Sequence, residues 1–165
     1  MIAYKFLDEG RIGPFTGFVW PEREWVAASV AQPCRVGVHA CRVEHLPLWL
    51  GHELWEVELG GEIVEQERKL VAERGRLLRR VRDWDAGGAA AFGEYCAMRI
   101  RVLVGFLPIL SGFVGDVDSF VSRSRVAMAG FAVARAAERR DGSHAYDRER
   151  RLQAEWLCRR LGLGG

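Results

Sequence analysis

Leu54-Trp55-Glu56-Val57-Glu58-Leu59 decides the fold, because apolar and charged side chains alternate through all six positions. A period of two is the mark of a half-buried strand, which turns Trp55, Val57 and Leu59 to a core and Glu56 and Glu58 to the other face. Gly60-Gly61 follows and reads as a hairpin turn, with residues 62–82 returning as one or two strands and Gly75 marking a bulge or bend. Upstream, Ile2-Ala3-Tyr4-Lys5-Phe6-Leu7, Phe15 to Trp20 and Glu24 to Val30 are short apolar-rich pieces cut by Gly10, Gly13-Pro14, Pro21 and Gln32-Pro33. That punctuation is what separates strands. Val43 to Gly51, with Leu46, Leu48, Trp49 and Leu50, predicts a short helix carrying Pro47 in its first turn.

Downstream the period changes. Ala89 to Val104 predicts a helix, and Asp116 or Asp118 is placed to cap a longer one running to about Arg140. Asp141-Gly142-Ser143 ends it. A last helix from about Ala145 to Leu161 aligns Tyr146, Leu152, Trp156, Leu157 and Leu161 in a stripe opposite an Arg-rich face, and that stripe is expected to be buried. Strands first and helices after predict an α+β fold: a mainly antiparallel N-terminal sheet with one short helix, then about three helices packing on it. At 165 residues one domain is expected, β-rich over 1–84 and helical over 85–165. Asp85-Ala86-Gly87-Gly88 has the composition of a linker, which leaves a separate helical domain open.

With 49% hydrophobic and 28% charged residues the composition is that of a globular protein, and no apolar run reaches the ~18 residues of a membrane span. Met1-Ile2-Ala3-Tyr4-Lys5-Phe6-Leu7 is followed at once by Asp8-Glu9, unlike a secretory signal, so a cytoplasmic location with four reduced cysteines is expected. The net charge of +2 conceals an uneven spread. Seven cations, Arg68, Lys69, Arg74, Arg76, Arg79, Arg80 and Arg82, crowd into residues 66–82 against two acids. Such a segment either meets nucleic-acid phosphates or neutralises the acidic strand beside it. The chain has 22 Arg and only two Lys, so arginine number alone argues weakly for a polyanionic partner.

Chemistry concentrates in Cys34-Arg35-Val36-Gly37-Val38-His39-Ala40-Cys41. On a strand, His39 and Cys41 share one face and Val36, Val38 and Ala40 the other. Cys34, His39, Cys41 and His45 lie within 12 residues and are donors of the kind zinc takes, although the spacing is that of no standard finger. Alternatively, pairing of this strand beside Leu54–Leu59 would bring His39 and Cys41 to Glu56 and Glu58, a set suited to acid–base or nucleophilic work. Arg35 or Arg76 would supply positive charge to that chemistry, whereas for a binding pocket around His39 and Cys41 the walls would be Trp49 and Trp55. There is no Gly-x-Ser-x-Gly, Gly-x-x-x-x-Gly-Lys or His-Glu-x-x-His, which removes support for three large enzyme classes.

Cys34-x-x-Gly37-x-His39-Ala40-Cys41, with the Leu-rich helix and the Glu-alternating strand after it, resembles a group of uncharacterised bacterial and phage domains over residues 1–82. The resemblance implies a shared strand motif and no activity. A fainter one is to ADP-ribosyltransferases; it implies a cofactor-contacting role for His39 and an assisting role for Glu56 or Glu58, although Ala40-Cys41 stands where that family carries a small Gly-Thr or Gly-Ser pair. Three functions are therefore expected in turn. The first is a small-ligand or protein-binding module around His39 and Cys41, with or without zinc. The second is a transferase or hydrolase of a nucleotide-like substrate, and the third is nucleic-acid binding through residues 68–82. A homo-oligomer through an exposed stripe on the last helix is open, and no membrane partner is expected.

Overall fold

The computed structural model describes residues 1–105 and 107–163. The chain forms two compact units, Met1–Trp84 and Asp85–Gly165, the first built on an antiparallel sheet and the second on helices, so the fold is α+β. No described helix is long and apolar enough to cross a membrane.

The first unit has β1 (Ile2–Leu7), β2 (Val26–Ala27), β3 (Val38–Ala40), β4 (Glu53–Gln66) and β5 (Lys69–Arg80), ordered β1-β4-β5-β2 with β3 also pairing β5. Trp55, Val57 and Leu59 face the core as their alternation requires. The turn expected at Gly60-Gly61 lies elsewhere: β4 runs on to Gln66, which pairs with Lys69 across Glu67-Arg68. The glycines instead make a bulge, since Gly60 pairs with Arg74 and Ile63 with Ala72, leaving Gly61 and Glu62 opposite Glu73 alone. Gly61 takes φ +75°, a Cβ on it would stand 2.5 Å from Glu73 Oε2, and that same oxygen accepts the Glu62 N–H at 3.0 Å. Gly75, expected as a bend, is a regular paired position between Val26 and Leu59.

One bridge closes the sheet. Cys41, immediately after β3, exchanges both backbone bonds with Tyr4 of β1 at 2.9 and 2.8 Å. Because β3 already pairs with β5 through His39 and Val71, the path β1-β4-β5-β3 returns to β1 as a small barrel. Ala3, Leu7, Val38, Ala40, Val57 and Leu77 fill it together with Trp20 from the long β1–β2 connection. The predicted short helix is a 3₁₀ segment, Val43–Leu48, with Pro47 late rather than in the first turn. Its bonds run His45 N–H to Arg42 and Trp49 N–H to Leu46, neither of which needs a proline donor.

Where about three helices were expected, the described residues of the second unit form four α-helices, α1 (Ala86–Val104), α2 (Ser111–Ser122), α3 (Val126–Asp141) and α4 (Ser143–Leu161), with a 3₁₀ turn at Pro108–Leu110. Asp85, read as linker, is the N-cap of α1 and accepts the Gly88 N–H at 2.8 Å. The single long helix expected up to Arg140 breaks at Ser124, which takes φ +55° while the Arg125 N–H reaches back to Phe120 O. That six-to-one bond is a Schellman-type stop, and Asp116 and Asp118 fall inside α2 instead of capping it. α4 packs chiefly along α3, where Tyr146 meets Phe131 edge-on at 6.4 Å, and its stripe also reaches α1, where Trp156 stacks on Tyr95 at 5.2 Å and lies 5.7 Å from Phe92. Leu157 and Leu161 are buried, whereas Trp156 and Leu152 are half-buried.

Candidate functional site

Strand β3 sets His39 opposite Val71 of β5, with Val38 and Ala40 turned into the barrel. The imidazole is half-buried and both its nitrogens engage backbone: Nδ1 is 3.1 Å from Gly37 O, and Nε2 is 3.3 Å from the Cys34 amide nitrogen. A carbonyl on one side and an N–H on the other select the neutral tautomer protonated at Nδ1. Burial is the main influence on this ring and lowers its pKa, opposed by the Gly37 bond and reinforced by the Lys5 and Lys69 ammonium groups. His39 therefore acts as a neutral clamp on the turn before β3.

Cys41 shares the outward side of the strand but is covered, and burial pushes its thiol up to about 12. Cys34 is exposed, at φ +63°, with Lys69 Nζ 2.7 Å from its sulfur. The zinc set of Cys34, His39, Cys41 and His45 is not assembled. Among the described residues no group of three or more His, Cys, Asp or Glu side chains is placed to hold a metal ion. The reason is local: His39 spends its ring on backbone, Cys41 is sealed beside Tyr4, and Cys34 turns to Lys69.

The acid–base set is likewise dispersed, because β3 pairs with β5 and not with Leu54–Leu59. Glu58 binds Arg76 at 2.7 Å and Glu56 is forked by Arg79. Arg76 and Arg79 lie five and eight residues along β5 from Val71, on the order of 16 and 26 Å of strand. Cys41 approaches Glu56 only around the barrel's closure, with Tyr4 between them. Trp55, expected as a pocket wall, is in the core and donates its N–H to Glu53 at 2.9 Å. Trp49 is exposed and donates to Arg68 O at the β4–β5 turn, and Arg35 sits exposed on the turn before β3.

The basic segment mostly meets its own sheet. Besides Arg76 and Arg79, Arg80 reaches Glu53 at 3.4 Å and Arg68 reaches Glu67 at 3.2 Å. One feature escaped sequence reasoning. Trp25, the residue before β2, is 42% exposed, and the guanidinium carbons of Arg74 and Arg76 each lie 5.0 Å from its ring centroid. Gly60 makes room for this arrangement, since a Cβ there would meet Trp25 at 3.3 Å and Arg74 at 3.0 Å. The i, i+2 spacing of Arg74 and Arg76 put both on one face, a signal present in the sequence; their aromatic partner depended on β2 pairing with β5.

Inside the barrel mouth, Lys5 follows Ala3 and precedes Leu7 on the inward side, donates to His39 O at 2.7 Å and stands 5.1 Å from the Trp20 ring. Burial lowers its pKa to about 8. No family model, curated protein or solved structure matches this chain, so its own geometry carries the functional reading.

Proposed function

We propose that residues 1–84 form a non-catalytic binding module for a small, flat, anionic ligand of the nucleotide kind, held on the outer face of β5 at Trp25. One observation carries the reading: an exposed indole with two guanidinium groups 5.0 Å from its ring. Such a surface accepts a base by stacking and a phosphate by charge. Arg76 already shares Glu58, whereas Arg74 makes no ion pair among the described residues and is the cation left for a ligand. Residues 1–84 carry 12 basic and 13 acidic side chains, which favours a small ligand over a long polyanion that depends on a net positive field. The reading keeps the expected binding module and moves its centre from His39 and Cys41 to Trp25. The transferase or hydrolase alternative has less behind it, since His39 is engaged by backbone and Glu56 and Glu58 by arginines.

Calorimetric titration of the full chain with adenosine triphosphate, and separately with adenosine and with inorganic triphosphate, tests this. The whole nucleotide is expected to bind more tightly than either half. Trp25→Ala and Arg74→Ala are each expected to weaken it about tenfold, or ~1.4 kcal/mol. Absence of binding at millimolar nucleotide, or binding that neither substitution changes, overturns the proposal.

A further inference from the structure

The pairing of β3 with β5 carries the turn before β3 onto the start of β5, and there it brings Cys34 and Lys69 together across 35 residues of chain. The turn is tightly built. Gln32 and Val36 exchange both backbone bonds at 2.7 and 3.0 Å, and the Arg35 N–H returns to Gln32 O at 3.1 Å. Cys34 at its tip takes φ +63°, a left-handed conformation that residues with a side chain seldom adopt. Its N–H is held by His39 Nε2, whose other nitrogen is anchored to Gly37 O. The thiol is thereby aimed by fixed backbone.

Lys69 Nζ stands 2.7 Å from Cys34 Sγ, the short end of the range for an N–H···O bond. Sulfur is larger than oxygen, so the two atoms are closer than an ordinary N–H···S bond brings them and at the separation one shared oxygen atom spans. Cys34 is also the one exposed cysteine among the described residues. Cys41 and Cys96 are buried, each pushed up to about 12 by burial, and Cys158 is half-buried. Oxidants therefore meet Cys34 first.

We propose that Cys34 and Lys69 form a reversible oxidative cross-link, Sγ–O–Nζ, that ties the turn of residues 32–36 to strand β5. Hydrogen peroxide is the oxidant. After Lys69 releases its ammonium proton to solvent, the thiol, the neutral amine and two molecules of peroxide give the S–O–N link and three molecules of water. One S–H, one N–H, one O–H and two O–O bonds break, and one S–O, one O–N and three O–H bonds form. One peroxide oxygen is retained as the bridge, and the four electrons leaving the sulfur–nitrogen pair reduce the two peroxides. Two equivalents of a dithiol return those electrons and release the thiol, the amine and water.

Exposure of the full chain to hydrogen peroxide, followed by proteolysis and mass spectrometry, tests the link. A joined peptide containing Cys34 and Lys69 is expected, heavier than its two parts by one oxygen and lighter by two hydrogens, and dithiothreitol is expected to undo it. Cys34→Ser and Lys69→Arg are each expected to abolish it, the latter while keeping the positive charge beside the thiol. Both sites lie at the surface, and circular dichroism melts report whether each variant folds as the parent does. Sulfinic or sulfonic acid at Cys34 with Lys69 unmodified, a joined peptide lacking the extra oxygen, or no oxidation at Cys34 overturns the proposal.

Discussion

The two units treat the same side chains in opposite ways. The barrel fills its inside with alternating apolar residues, Lys5 and Glu53 apart, and sets its Glu–Arg pairs on the outer face, where Arg79 is 59% exposed beside Glu56. In the helical unit Glu149, Arg150 and Gln153 are all buried. Glu149 is forked by Arg99, Arg150 bonds Tyr146 and Gln153, and Gln153 donates to Gly130 O. Among the described residues no buried side-chain nitrogen or oxygen lacks a partner. An Arg–Glu contact is thus no fixed quantity of stability. In water it is nearly dispensable, whereas inside a protein each member depends on the other.

The hardest test of this contrast is Glu149→Ala, which removes the buried partner of Arg99. A loss of about 3–5 kcal/mol is expected from denaturant unfolding, and a loss under 1 kcal/mol would erase the distinction between the units. Next is Trp156→Ala, expected to cost about 3 kcal/mol, the low end for an aromatic truncation because the indole is half-buried. Melts at several protein concentrations check it, and a midpoint that rises with concentration would place the stripe at a subunit interface.

Lys5 sharpens the comparison from the barrel's side. Its folded pKa of about 8 lies below its ordinary 10.5, so between those values the unfolded chain holds more protons and the Lys5 contribution to stability rises with pH. Lys5→Met is expected to remove that rise. The difference between parent and variant, followed by denaturant melts from pH 7 to 11, should change by at most about 1.4 kcal/mol per pH unit. A constant difference would mean that the ammonium is fully hydrated. Gly61→Ala comes below it, expected to cost about 1–2 kcal/mol for a left-handed backbone and a displaced Glu73 carboxylate. The smallest effect is expected for Glu56 and Arg79, whose double-mutant cycle should give a coupling under about 1 kcal/mol.

What could be read from the sequence was local. Strand β1 matches Ile2–Leu7 and the faces of Leu54–Leu59 are as their alternation demands, because a period of two is written in neighbouring residues. Gly60-Gly61 was ambiguous, since two glycines suit a turn or a bulge, and Glu73 on the opposite strand decides between them. The helix stop at Ser124 carries neither glycine nor proline to announce it. The site was hidden for a related reason. His39 and Cys41 were conspicuous as residue types, yet what each could do depended on β3 joining β5 and Cys41 meeting Tyr4, registers that no single stretch encodes. The same pairing delivered Lys69 to Cys34, and that of β2 with β5 delivered Trp25 to Arg74 and Arg76.

The bulge at Gly61 also governs how the molecule behaves in a crowd. β1 pairs β4 only as far as Glu58, and beyond Leu59, whose carbonyl takes the Met1 amino group, no described strand joins β4 on that side. An open edge invites accretion of another chain. Here the invitation is withdrawn at the bulge, where the ladder is interrupted and one N–H is already consumed by Glu73, and again at Glu62, an exposed charge that an added strand would have to face.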